Sequence, residues 1–157
     1  MHLLTLLRWW GGTPLARAID SAAWAFPVIE SIHILGMALV AGTVAAVDLR
    51  LLGMGLRGRT APELALEFRL WTLLGLGVML VTGPLMLSTD PVRYSGNPAF
   101  AFKMRALLAA VVLHLTFLRG GRLTQKLSAT RWGKTVACLS LALWTSVIVA
   151  ARWIATY

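Results

Sequence analysis

The sequence predicts an all-α integral membrane protein, an antiparallel bundle of four spanning helices with a short N-terminal interfacial helix. Three observations predict it. Of 157 residues, 58% are hydrophobic and only 13% charged, with a mean hydropathy of +0.74, whereas a soluble domain is about 45–50% apolar. Four apolar runs reach the roughly 20 residues needed to cross about 30 Å of hydrocarbon. The basic residues gather mainly in two of the connections between those runs. The length allows one compact unit.

Residues 1–23, MHLLTLLRWWGGTPLARAIDSAA, lack a basic n-region, and Arg8 and then GGTP interrupt the apolar block. The segment is therefore expected to be mature sequence and not a signal peptide. His2, Thr5 and Arg8 recur at spacing three while Leu3, Leu4, Leu7 and Trp10 fall elsewhere, which suits a helix lying in the membrane interface. Residues 24–157 form the four-helix domain. Its first span runs from about Pro27 to Val47, with Trp24 and Phe26 as interfacial anchors. The second runs from about Leu70 to Leu87, and Thr60-x-x-Glu63 is a capping box that starts its helix well before the membrane. Asn97 and Pro98 read as N-cap and N1 of the third, which continues to about Leu118. The fourth covers about Val136 to Ala155, with Trp132 and Trp153 near its ends.

Nine of the 15 basic residues lie in two connections: Arg50, Arg57, Arg59 and Arg69 between spans one and two, and Arg119, Arg122, Lys126, Arg131 and Lys134 between three and four. The positive-inside rule puts both connections in the cytoplasm, with both termini outside. A net charge of +9 raises nucleic acid as a partner, but no basic stripe is interleaved with stacking aromatics, so membrane topology accounts for it better. Cys138 is the sole cysteine, which excludes an intramolecular disulfide.

An ionisable group inside a span costs on the order of 2.5–3.5 kcal/mol on insertion scales, which makes it a functional candidate. His33 lies about 9 Å down the first span, counted from Pro27, with Glu30 one turn above and Met37 one turn below. Lys103 lies about 8 Å down the third, next to Met104 and close to Arg105. A Glu30–Lys103 or Glu30–Arg105 pair would cancel charge at that depth. His114 is deeper, offset from His33 by about 5–15 Å; a low offset lets both imidazoles clamp one haem, and a high offset does not. Asp48 reads as a solvated helix end beside Arg50. The glycines of LLGLGVMLVTG suit ordinary helix packing. Loop 88–98 has turn chemistry and offers Arg93 and Tyr94 to an anion. No Ser/His/Asp set, P-loop, paired catalytic carboxylates or CxxC is present.

The stretches PVIESIHILGMALVAGTVAAVDLRLLG (27–53) and RYSGNPAFAFKMRALLAAVVLHLTF (93–117) resemble an uncharacterised group of small bacterial four-span membrane proteins, over most of the chain from about residue 24. More distantly, a span-one histidine, a glycine and arginine at its inner end, and K-x10-H in span three resemble the HemJ-type protoporphyrinogen oxidases and the CopD-type copper-resistance membrane domains. That resemblance implies that His33, Lys103 and His114 fall on the HemJ-type pattern, in which a histidine serves haem b and the lysine supports the porphyrin reaction.

Three functions follow as expectations. The first is a haem b protein moving electrons near the outer leaflet, as a membrane oxidoreductase. Here His33 and His114 are axial ligands, Lys103 and Arg105 receive propionates, and Glu30 lies beside them. The second is copper handling by His33, His114, Met37 and Met104, imidazole and thioether donors that suit Cu(I). The third is a cofactor-free anchor or assembly subunit registered by a Glu30–Lys103 pair. The expected partners are the lipid bilayer, a redox protein or quinone, and a second copy of the chain.

Overall fold

The computed structural model describes residues 2–55, 58–118, 121–128 and 130–154, and among these every regular element is helical. Arg57 and Arg119 of the positive-inside reading lie outside the described residues. Eight helices follow in order: α1 His2–Gly11, α2 Pro14–Ser21, α3 Ala25–Leu51, α4 Ala61–Thr89, α5 Pro91–Gly96, α6 Pro98–Leu118, α7 Gly121–Ser128 and α8 Arg131–Ile154. Four of them, α3, α4, α6 and α8, are long and apolar enough to cross a membrane. The chain is a multi-pass membrane protein.

Local chemistry sets the boundaries. The Thr60 side chain accepts from the Glu63 amide and the Glu63 carboxylate accepts from the Thr60 amide, the reciprocal capping box that begins α4 nine residues ahead of the expected apolar run. Asn97 Oδ1 accepts from the amides of Ala99 and Phe100, which with Pro98 at N1 starts α6. The N-terminal segment forms two helices where one was expected. Gly12 and Thr13 end α1, and Thr13 caps α2 by accepting from the Ala16 amide. Loop 88–98 contains a further short helix, α5, capped by Asp90 on the Arg93 amide.

The bundle is built on small residues that let backbones approach, as membrane helices require when no water drives them together. α3 and α4 pack along most of their length, α6 packs along α8, and α8 closes against α3; α4 and α6 touch only briefly. Gly36 of α3 and Gly75 of α4 face each other closely, since a Cβ on Gly75 would lie 2.8 Å from the Gly36 carbonyl oxygen. Ordinary helix packing is therefore the use of the span-two glycine at Gly75. On α8 the buried stripe is Gly133, Ala137, Ser140, Trp144, Val147 and Ala150, a three-to-four-residue repeat. Large apolar side chains such as Leu35, Leu80 and Leu108 point outward, as lipid contact permits.

The two ends of the bundle are dressed differently. α1, α2 and α5 cover the end where α3 begins, and α1 is tied down where Trp10 Nε1 donates to the Pro84 carbonyl, 3.3 Å away. The opposite end carries α7, which packs on α4 and α8. Below, these are the α1 end and the α7 end.

Candidate functional site

Between the ends the interior is layered. Val40, Val44, Met79, Ala110 and Trp144 form an apolar middle, one or more residues from each spanning helix. Polar side chains lie on both sides of it.

On the α1 side, His33 is buried and its Nδ1 lies 2.7 Å from Thr82 Oγ1. The Thr82 hydroxyl also lies 2.7 Å from the Val78 carbonyl; with its hydrogen there, its oxygen accepts from His33 Nδ1–H. The proton on Nδ1 leaves Nε2 as a lone pair. That nitrogen has no hydrogen-bond partner among the described residues and, unlike the Nε2 of His114, is not sealed off. Gly83 lies against the ring, with its Cβ position 3.6 Å from Cε1. From α6, half-buried Lys103 is close enough for its charge to act on His33.

The other residues expected here do not converge. Glu30 is exposed while His33 is buried, and the only salt bridge among the described residues is Arg59–Glu67, at the other end. Neither the Glu30–Lys103 nor the Glu30–Arg105 pair forms. Arg105 is exposed and its Nε donates to the Ala101 carbonyl of its own helix. Met37 packs against the apolar middle, whereas Met104 is 46% exposed on the outside of α6. The thioethers thus face away from a common point with His33, and no group of three His, Cys, Asp or Glu side chains among the described residues could hold a metal ion. Above this site, Tyr94 of α5 stacks obliquely on Phe100, with centroids 5.9 Å apart. Partial burial raises its phenol above the ordinary 10.0; Arg93 opposes this, and the charges of Asp90 and Glu30 add to it.

On the α7 side, Asp48, His114, Ser140, Thr43 and Thr72 line one cavity of about 20 Å³ with Phe68 and small apolar groups. Asp48 is 4% exposed, which corrects its reading as a solvated helix end. α3 runs on to Leu51 and turns Asp48 into the bundle, where it lines the same cavity as Ser140 of α8. Arg50 does not pair with it, because its Nε donates to the Arg59 carbonyl at 2.6 Å. Thr43 and Thr72 meet through their hydroxyls at 2.9 Å, joining α3 to α4. Among the described residues, three enclosed polar atoms have no partner: Asp48 Oδ2, His114 Nε2 and, in the middle layer, Trp144 Nε1.

The two histidines are therefore separate. His33 is level with Thr82 and His114 with Thr72, ten residues or about 15 Å along α4. Two imidazoles on one metal lie only about 4 Å apart, given bonds of about 2.0–2.1 Å. The high end of the expected offset holds, and His114 does not share a ligand with His33. Asp48, Ser140, Thr43 and Thr72 were missed as site residues. The one available signal was the i, i+5 pair Thr43 and Asp48 beside a second-span threonine, which is common wherever hydroxyls satisfy their own helix backbone.

No curated protein and no solved structure matches the chain significantly. A family model does match, over residues 22–157, beginning where the two N-terminal helices end. With that match covering all four spanning helices and both polar layers, the chain belongs to DUF6644, a family of unknown function.

Proposed function

We propose that the protein is a membrane redox protein that binds haem b through His33 alone, in the half of the bundle covered by α1, α2 and α5. One observation carries the reading. The His33 ring is held through Nδ1–H on Thr82, leaving Nε2 as the lone pair, the arrangement in which a second hydrogen bond fixes a ligating imidazole and raises its basicity. Of the residues expected to serve haem, His33 fits as an axial ligand and Lys103 fits as a cation for a propionate. His114 does not fit as a second axial ligand, and Arg105 points elsewhere. When bound, the group would supply one-electron chemistry, tuned by its axial ligand and surroundings.

The remaining steps belong to this chain's own residues. Thr82 fixes the ring, Gly83 packs beside it, and Lys103 supplies positive charge from α6. On the positive-inside distribution, the α1 end faces outward from a bacterial cytoplasmic membrane, so electrons would be exchanged with a partner on that side. Copper is the weaker reading because Met37 and Met104 diverge from His33.

Protein purified in detergent from haem-replete cells tests this. The expected result is a Soret band that His33→Ala abolishes and His114→Ala leaves. A colourless, folded preparation, or a band lost only with His114→Ala, overturns it.

A further inference from the structure

We propose that the cavity between Asp48 and His114 is an internal proton site, holding one water that joins Asp48 Oδ2 to His114 Nε2 and lets the two groups share a single proton. A water needs about 10–15 Å³ of probe-sized space and two to four polar partners. The cavity offers about 20 Å³ and is lined by five polar side chains. Its two ionisable members each turn an enclosed, unsatisfied atom into the interior, an arrangement that costs about 1–3 kcal/mol per group unless something fills it.

The donors and acceptors balance. Asp48 Oδ2 is enclosed and has no partner among the described residues, so it remains to accept from a water. The Thr72 hydroxyl hydrogen goes to the Phe68 carbonyl at 2.9 Å, which leaves its oxygen to accept as well. His114 Nε2 gives or takes the remaining hydrogen bond according to its protonation. A proton leaving His114 Nε2 goes to the water while the water passes one of its own to Asp48 Oδ2, and the reverse step restores the start. No electron moves.

Among the described residues, no other charged side chain lines the cavity. α3 contributes only Asp48, since Arg50 is engaged with the connection. α4 contributes Phe68 and Thr72, with Glu67 and Arg69 exposed; α8 contributes Ser140, with Lys134 exposed; Lys126 of α7 is exposed as well. With one proton the Asp48–His114 pair is neutral overall, and with none it leaves a lone negative charge in an apolar medium. Carboxylate–imidazole chains of this kind are what proton paths through membranes use. The apolar middle layer separates this site from His33, so it stands independently of haem binding.

Histidine-¹⁵N NMR in nanodiscs tests the proposal, with the His114 signal assigned by its loss in His114→Gln. In Asp48→Asn the imidazolium loses its counter-charge, and the His114 titration midpoint should move by about 1 pH unit or more, the mark of a coupled pair. Ser140→Ala keeps both titrating groups and should retain the coupling. If Asp48→Asn does not fold, the infrared carboxyl band of Asp48 is followed in His114→Gln, where its titration should move by a similar amount. An unmoved midpoint in the variant that folds overturns the proposal. A colourless protein with coupled titration retains this site while losing the haem reading, and a red protein with uncoupled titration does the reverse.

Discussion

Gly75→Ala tests whether the α3–α4 seam is the structural spine of the bundle. The added methyl would sit 2.7 Å from Val40 Cγ2 and 2.8 Å from the Gly36 carbonyl oxygen, and the second contact is with backbone, which no rotamer change relieves. The helices must part by some tenths of an ångström along a tightly packed seam, and overpacking of this sort costs about 1–3 kcal/mol. Against it stands the helix-propensity gain of alanine over glycine, about 1 kcal/mol. Gly77→Ala supplies the control, because Gly77 is exposed on the same helix and its Cβ would meet nothing within 4 Å. Both variants share the propensity gain, so the difference between them isolates the steric term. Reversible unfolding in mixed micelles should place Gly75→Ala below Gly77→Ala by about 1–3 kcal/mol, on the order of 5- to 150-fold in the unfolding equilibrium. Equal stabilities would refute the close approach of α3 and α4 at Gly36 and Gly75.

Two further outcomes follow from the α1 end. Asn97→Ala removes the acceptor for the Ala99 and Phe100 amides and should lower stability by about 0.5–2 kcal/mol, whereas Asn97→Asp should restore most of it; the same unfolding assay checks both. Tyr94, held above the ordinary 10.0 chiefly by burial, should ionise later than a free phenol in an ultraviolet pH titration assigned with Tyr94→Phe. Because the folded value is the higher one, its contribution to stability is present below about pH 10 and is lost as pH rises through the folded value.

What the sequence makes legible is local or axial. The capping box at Thr60 and the Asn97-Pro98 start are written within four residues, so they appear as expected. The separation of His33 from His114 is legible as a range, because depth along a helix is a count of residues multiplied by a fixed rise. What escapes is rotation and partnership. Glu30 and His33 are three residues apart and so about 60° apart around the axis. At the periphery of a bundle that angle is enough to leave Glu30 exposed while His33 is buried. Asp48 escapes for another reason: beside Arg50 it reads as a solvated helix end, and only the packing of α4 and α8 against α3 makes it an interior group.

This difference decides how the two histidines are weighed. In sequence they look equivalent, each a lone imidazole in an apolar run, and a shared haem is the economical explanation. In the folded chain their ring nitrogens are in opposite situations. His33 has one nitrogen engaged with Thr82, and its other nitrogen is not among the enclosed unpartnered atoms. His114 has an enclosed, unpartnered nitrogen and lines the same water-sized cavity as Asp48, whose Oδ2 is also without a partner among the described residues. A metal at His114 would have to displace that relation and leave Asp48 Oδ2 as a buried orphan, at a cost of several kcal/mol for an ion without its partner. The layer of Val40, Met79, Ala110 and Trp144 between them keeps the two chemistries apart, so the two histidine substitutions should separate cleanly: colour follows His33, and titration of Asp48 follows His114.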